Sequence, residues 1–329
     1  MTTIKLGTRG SDLALYQAYH TKTQLESQLP GINVEIIIIH TTGDKRTDVS
    51  LNQVAKETGV FDKGVFIKEL ETALINQDID IAVHSLKDLP SELDSQFHLA
   101  SVLERANIAD ILITKQPLEK WSDLANGSSI ATSSVRRSQQ WLWQATQIDR
   151  KYQTIDIRGN VPTRIAKLAN TPEMNGLILA QAGLERLEYP TAKNESFEVD
   201  GATLYTHVLP PEQFLPAAGQ GAIGIEILSD RTDLQPILDT ITHQPTLQTV
   251  ETERHILKLL QAGCHTPIGI YSNYTDKELT ITAELFADAP EGSSNTQASS
   301  IPITTQATKP ISERFELAQI IVDQLAQLK

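Results

Sequence analysis

The stretch Ile79-Asp80-Ile81-Ala82-Val83-His84-Ser85-Leu86-Lys87-Asp88-Leu89-Pro90 reads as a strand that runs into a charged turn. Ile79, Ile81 and Val83 alternate with other residues, the two-residue period of a β-strand. In open α/β sheets ligands bind at the carboxyl ends of the strands. Lys87 and Asp88 are therefore expected at such an end. Upstream, Phe66, Leu70, Ala73 and Leu74 follow helical spacing, so this strand is preceded by a helix.

Working outward, the same alternation of strand and helix recurs. Ile4 to Leu6 predicts a short strand ending at Gly7-Thr8-Arg9-Gly10. Ser11 is placed to cap a helix beginning near Leu13, with Asp12 in its first turn, and that helix should stop near Pro30-Gly31. Val34 to His40 reads as a buried strand. Residues 41–64 lack periodicity and predict a long loop of the kind that is often functional. A second α/β unit is expected from about residue 108, with Ile111 to Thr114, a helix after Val135 and a strand from Gly176 to Ala180. Leu215 to Gly221 looks like a crossover, followed by a strand from Ala222 to Ile227. Leu247, Val250, Leu257 and Leu260 then mark a helix for which Gly263 suits the C-cap. Downstream, Leu279, Ile281, Ala283 and Leu285 alternate as a strand. Residues 288–300 predict an exposed loop, and Leu317, Ile321, Leu325 and Leu328 a final amphipathic helix. No internal repeat is present.

The chain has 329 residues, enough for roughly two domains, or three small ones. It carries 28 Lys and Arg against 41 Asp and Glu, a net charge of −13. Such a chain is a poor general binder of nucleic acid or anionic membranes. Its longest aliphatic run, Ile36 to Ile39, is too short to span a bilayer. The segment Met1-Thr2-Thr3-Ile4-Lys5 predicts no secretory leader, so a cytoplasmic protein is expected. The single cysteine, Cys264, excludes an internal disulfide and a multi-cysteine metal site. Arginine, however, is concentrated: Arg136, Arg137, Arg150, Arg158, Arg164 and Arg186 fall within residues 131–186. Because guanidinium grips carboxylate or phosphate through paired hydrogen bonds, this local excess points to a small polyanionic ligand.

Four constellations carry possible chemistry. Thr132-Ser133-Ser134-Val135-Arg136-Arg137 offers hydroxyls and N–H groups at a helix start, an anion site, although a capped surface helix has the same composition. In Arg158-Gly159-Asn160-Val161-Pro162-Thr163-Arg164 a glycine permits close backbone approach between two arginines, but a plain strand-to-helix turn also fits. Lys87-Asp88 is either a structural ion pair or a carboxylate kept ionised to stabilise a passing cation. Cys264 lies in Ala262-Gly263-Cys264-His265-Thr266-Pro267, a turn, which favours an exposed reactive thiol over a buried one. Gly219-Gln220-Gly221 is too short for a dinucleotide fingerprint. There is no P-loop, and no pair of histidines has metal-binding spacing.

Taken in order, these motifs resemble the porphobilinogen deaminase family over nearly the whole chain. The resemblance is carried by Thr8-Arg9-Gly10-Ser11 with Leu13-Ala14-Leu15, by Lys63 to Glu69, and by Asp80 to Pro90. It continues through Thr132 to Arg137, Arg158 to Arg164, Ala182 to Arg186, Gly219 to Ala222, and Gly263-Cys264 with Pro267-Ile268-Gly269. The resemblance implies an α/β fold: two domains like type II periplasmic binding proteins (1–105 with 222–241, and 106–221), then a small α+β domain (242–329). It implies a monomeric transferase acting on porphobilinogen, with no nucleic-acid or membrane partner and no metal. The implied reaction condenses four porphobilinogens head to tail, releasing ammonia, onto a dipyrromethane cofactor attached to Cys264 by a thioether. Asp88 and Lys87 would be catalytic. Lys87, Ser85, Thr132, Ser134, Arg136, Arg137, Gly219 and Gln220 would hold the cofactor, and Arg9, Ser11, Lys63, Arg158, Arg164 and Arg186 the substrate. A substrate bearing an acetate and a propionate on every pyrrole accounts for arginines clustered in an acidic chain.

Three departures from the family pattern stand out. Asn107-Ile108-Ala109-Asp110 occupies the place of a usual Asp-Pro-Arg-Asp, so an arginine is missing. Residues 56–63 form a longer loop than usual, and Ala262 replaces a frequent glycine. Two other readings remain: a non-catalytic anion-binding protein, which leaves Cys264 unexplained, and a cysteine hydrolase, which needs a base near Cys264.

Overall fold

Strand β1 (Thr2–Thr8) pairs in parallel with β2 (Ile32–Ile38), and α1 (Asp12–Gln28) makes the crossover between them. Ser11 caps α1, its hydroxyl accepting the N–H of Ala14 at 3.4 Å. The computed structural model describes residues 2–40, 64–263, 266–275, 277–287, 296, 298 and 300–327. The expected loop over 41–64 lies outside them except for Gly64, which begins α2 (Gly64–Ile75). From α2 the chain enters β3 (Ile81–Ser85), a 3-10 turn at Leu86–Asp88, and β4 (Phe97–Val102).

It continues through β5 (Asp110–Thr114), β6 (Ser129–Ala131), α3 (Val135–Gln147), β7 (Gln153–Ile155), α4 (Val161–Asn170), β8 (Gly176–Ala180) and α5 (Gln181–Arg186). Next come β9 (Ser196–Val199), β10 (Ala202–Leu209), β11 (Ile223–Leu228), α6 (Gln235–Asp239) and α7 (Gln244–Leu259). The chain ends with β12 (Ile268–Tyr274), β13 (Glu278–Leu285), β14 (Ile303–Pro310) and α8 (Arg314–Gln327).

These elements form two compact units: Met1–Ala106 with Gly219–Lys258, and Asn107–Ala218 with Leu259–Lys329. In the first, the strand order is β2-β1-β3-β11-β4. β1, β2 and β3 are parallel, whereas β11 runs antiparallel to both β3 and β4. Both faces are covered. Ile81 and Val83 join one core cluster with Leu6, Val34 and Ile225, while the intervening Ala82 joins another with Leu70 and Leu74. A strand buried on two faces loses its polar positions, which is why this stretch is so apolar.

The second unit holds a sheet ordered β7-β6-β8-β5-β10-β9. β7, β6 and β8 are parallel, and β5, β10 and β9 complete it antiparallel. Ile111 and Ile113 point into one core, and Leu112 into the other beside Trp141, Tyr152 and Phe214. The unit also contains the antiparallel sheet β12-β13-β14, on which α8 packs through Leu317, Ala318, Ile321 and Leu325. The fold class is thus the expected one, two α/β sheets and a small α+β layer.

Two local expectations change. The strand expected to be buried over 34–40 is the edge strand β2, in which only Val34 is buried, because nothing pairs with its outer side among the described residues. α7 stops at Leu259, so the left-handed residue after it is Gln261 (φ 51°), not Gly263. The helix ends one residue before the last apolar position of its stripe, and the reversal moves with it.

Candidate active site

In the first unit, the carboxyl ends of β1 and β3 are neighbours, because Gly7 pairs with Ala82 in parallel register. This brings Arg9 and Ser11 to the same sheet edge as Ser85, Lys87 and Asp88. Leu86 and Leu89 are buried on either side of Lys87 and Asp88, which are themselves half-buried. The apolar residues anchor the turn and leave the charged pair at the edge. Two further bonds fix its entry. Leu86 donates its N–H to Ala222 O at 3.0 Å, and Gln17 donates to the Ser85 hydroxyl at 2.8 Å.

The crossover residues Gly219 and Gln220 lie against this turn. Gly219 has φ +70°, and a Cβ there would stand 3.2 Å from both Leu86 Cγ and Lys87 N, so the position requires glycine. The Gly219 N–H donates to Glu253 Oε2 at 2.7 Å. Arg105 grips the same Glu253 through two bonds of 2.7 and 3.0 Å, and its Nε donates to Gln220 O at 2.8 Å. Glu253 is fully buried, so this fork is a desolvated, hydrogen-bonded pair of the kind that fixes geometry. Behind β3, His84 Nε2 lies 2.8 Å from Glu226 Oε2, both buried.

In the second unit, the three parallel strands β7, β6 and β8 end side by side. Their carboxyl ends carry, respectively, Arg158 to Arg164, Thr132 to Arg137, and α5 with Arg186 at its last residue. Ser134 caps α3 by accepting the Arg137 N–H, and the Thr132 hydroxyl accepts the Ser134 N–H. Asn160 caps α4 with Pro162 in its first turn. Gly159, at φ +115°, lets the chain turn between Arg158 and Asn160, and its carbonyl accepts from Arg164 Nε at 2.7 Å. Arg158, Arg164 and Arg186 are half-buried at this edge.

Arg136 and Arg137 sit deeper. Their guanidiniums meet the two oxygens of one carboxylate, Asp110, at 2.9 and 2.7 Å, and Asp110 is only 1% exposed. Arg136 also donates to Leu215 O at 2.7 Å and to Gln140 Oε1 at 3.0 Å; Arg137 donates to Ile178 O at 3.2 Å. Burial lowers the Arg136 pKa, and Asp110 opposes that. Gln140 in turn donates to Glu284 of β13 at 3.0 Å. Burial raises the Glu284 carboxyl above its usual range, against this hydrogen bond and the charge of Arg136. Among the described residues the buried Nε atoms of Arg136 and Arg137 have no hydrogen-bond partner, and that of Arg158 faces Asp156 Oδ2 at 3.7 Å.

Asp110→Asn would leave two buried guanidiniums without their shared charge. Removing one member of a buried pair costs about 3–5 kcal/mol, so the variant is expected to unfold at markedly lower urea than the parent. An unchanged urea midpoint would show that Asp110 does not hold these arginines in solution.

Two predicted site residues, Lys63 and Cys264, lie outside the described residues. Gly263 and Thr266 flank Cys264 and are bonded to each other, Gly263 N–H to the Thr266 hydroxyl and Thr266 N–H to Gly263 O, both at 3.1 Å. Sequence reasoning did not single out Gln17, Arg105, Glu226, Glu253 or Arg254. The available signal was the charged pair Glu253-Arg254 within the apolar stripe of α7. No helix among the described residues is long and apolar enough to cross a membrane.

Comparison with known proteins covers both units. Residues 4–236 match the family model described as porphobilinogen deaminase, dipyromethane cofactor binding domain. Residues 247–326 match that described as porphobilinogen deaminase, C-terminal domain. A porphobilinogen deaminase of a Nostoc species is 41% identical over 282 residues, 85% of this chain and 80% of that protein. That of Maridesulfovibrio salexigens is 35% identical over 325 residues, 99% of this chain and 95% of that protein. Among solved structures, the methionine binding protein MetQ covers 77% of this chain and 96% of its own at 10% identity and a TM-score of 0.40.

Proposed function

The chain belongs to the porphobilinogen deaminase family, and on that premise we propose which of its residues carry the reaction. It is a transferase of tetrapyrrole biosynthesis, a hydroxymethylbilane synthase. Four porphobilinogens are joined head to tail with loss of ammonia, and linear hydroxymethylbilane is released by hydrolysis. The observation that carries the assignment of residues is the position of Asp88: a carboxylate at the edge of a parallel sheet, on a turn anchored by buried leucines on both sides.

The cofactor is a dipyrromethane, and the donors present suit its carboxylates. Among the described residues the buried Nε–H groups of Arg136 and Arg137, in the first turn of α3, have no acceptor. When bound, the cofactor supplies the nucleophilic pyrrole carbon to which the first substrate is joined. Cys264 anchors it, so that each coupling is effectively intramolecular. Ser85, Lys87, Thr132, Ser134, Arg136, Arg137, Gly219 and Gln220 hold and orient it. Arg9, Ser11, Lys63, Arg158, Arg164 and Arg186 bind the acetate and propionate of the incoming porphobilinogen.

Asp88 does the chemistry. Its carboxylate accepts a hydrogen bond from the pyrrole N–H of the substrate. When the CH2–N bond of the protonated aminomethyl group breaks and ammonia leaves, the methylene stays on the ring. The substrate becomes an electron-poor methylene-pyrrole cation whose N–H is a stronger donor, and the fixed carboxylate stabilises it. After the new carbon–carbon bond forms, the proton lost from the attacking ring carbon passes to Asp88. Lys87 pairs with a carboxylate of the cofactor or the substrate. We further assign residues 1–105 with 222–241, 106–221 and 242–329 to three domains of a cytoplasmic monomer.

The direct test is incubation of the purified protein with porphobilinogen. One ammonia should appear for each porphobilinogen consumed, with a linear tetrapyrrole as product. Saturable binding of porphobilinogen without ammonia would instead favour a non-catalytic anion-binding protein.

A further inference from the structure

Arg254 lies on α7 next to Glu253 and is 9% exposed. Its guanidinium donates to three successive main-chain oxygens: to Leu89 O at 3.1 Å, Pro90 O at 2.5 Å and Ser91 O at 3.4 Å. These are the carbonyls that follow Asp88. The chain there has just left a 3-10 turn, and Pro90, with no N–H to donate, prevents the turn from continuing. A planar five-donor fork suits such a set better than an ammonium would.

Burying this cation is costly. Among the described residues no carboxylate forms an ion pair with it. Burial pushes its pKa down to about 10, with only the charge of Glu226 opposing, so it remains a cation at neutral pH. A guanidinium desolvated to this extent spends its donors on one six-residue turn. At the other end of the same turn, the neighbouring Glu253 holds Gly219 against Leu86 and Lys87. Two consecutive residues of one helix thus fix both ends of the segment that carries Asp88.

We propose that Arg254 is a positioning residue for the deaminase reaction: by tying Leu89, Pro90 and Ser91 to α7 it sets where the Asp88 carboxylate stands. The inference rests on Asp88 being the catalytic carboxylate. It predicts a loss in the chemical step rather than in substrate capture, because none of the residues assigned to the substrate's carboxylates depends on these three bonds. Displacing a catalytic group by about 1 Å costs on the order of a hundredfold in rate.

The test compares the cofactor-loaded wild type with Arg254→Met and Arg254→Lys, with Asp88→Asn as reference. Intact mass reports the cofactor on each, a thermal melt reports folding, and kcat and KM for porphobilinogen are measured well below the melting transition. Arg254→Met should keep its cofactor and lose at least tenfold in kcat, with KM within threefold of wild type. Arg254→Lys, which keeps the charge and part of the donor set, should recover part of that loss. A folded, cofactor-loaded Arg254→Met with kcat within twofold of wild type would overturn the proposal. So would a loss wholly explained by the unfolded fraction. If Arg254→Met does not fold, Arg254→Lys decides: reduced kcat at unchanged KM supports positioning, and wild-type kcat refutes it. A fully active Asp88→Asn, or an inactive wild type, would instead overturn the underlying assignment of the reaction.

Discussion

Asp88→Ala is expected to abolish measurable turnover of porphobilinogen while leaving the protein folded. Two features separate these effects. The side chain is half-buried at the sheet edge, so its loss opens no core cavity. The turn that carries it is held by groups that do not involve the carboxylate: Leu86 and Leu89 in the core, the Leu86 N–H on Ala222 O, and the Leu89 N–H on Leu86 O. The chemical role, in contrast, has no substitute. Without a fixed anion the cation left by departing ammonia must form against solvent alone, and the proton released after coupling has no acceptor in place. Electrostatic stabilisation and general acid–base catalysis are each worth about 10²–10⁴-fold. The losses combine, since one group performs both. Asp88→Asn should be nearly as inactive as the alanine variant, because the amide retains shape and a hydrogen bond but neither charge nor basicity. Steady-state ammonia release, with a thermal melt as control, checks both variants. Wild-type kcat in either would remove Asp88 from the mechanism.

The strand and turn around Asp88 were legible because everything that defines them is local. A two-residue alternation, buried on both faces, ends in a charged pair and a proline within twelve residues. The capped helix starts at Ser11, Ser134 and Asn160 are equally local, being set by side-chain oxygens that accept from the N–H three residues on. What holds the catalytic turn was not legible, because its partners are distant in sequence. Arg105 meets Glu253 across 148 positions, and Arg254 meets Leu89 across 165. Helical periodicity shows that Leu247 and Val250 face a core, but not which loop the polar residues after them will meet.

Arg136 and Arg137 illustrate the same boundary. In the sequence they are two cations at a helix start. In the fold they share Asp110, twenty-six positions earlier than Arg136, at the end of the segment that lacks the usual family arginine. A single residue type in a motif carries no information about its burial. The β9–β10 hairpin is a different case, since its signal was present. Asp200-Gly201 joins two alternating strands, and both residues have positive φ, as a two-residue hairpin turn requires.

Cys264→Ser should remove both the cofactor and the activity. The sequence has one cysteine, so a thioether has one possible site. Replacing sulfur by oxygen changes size only slightly but replaces a thiol, which can react as its thiolate, by an alcohol that does not ionise in water at neutral pH. The alcohol is a far weaker nucleophile toward the methylene-pyrrole cation, and the primer is not assembled. Without an anchored primer each coupling becomes a bimolecular encounter between dissolved pyrroles. The advantage forfeited is the effective molarity of a held reactant, which reaches about 10⁵ M or more in well-oriented systems. Intact mass is the decisive measurement. The wild type should exceed its sequence mass by two pyrrole units, and peptide mapping should place the excess on Cys264. The serine variant should show the bare sequence mass and should acquire no pyrroles on incubation with porphobilinogen. An unmodified wild type that gains pyrroles on the same incubation would be an unprimed form of the enzyme, consistent with this chemistry. A serine variant that still releases ammonia and forms tetrapyrrole would mean that the growing chain is held without the thioether, and the role assigned to Cys264 would fall.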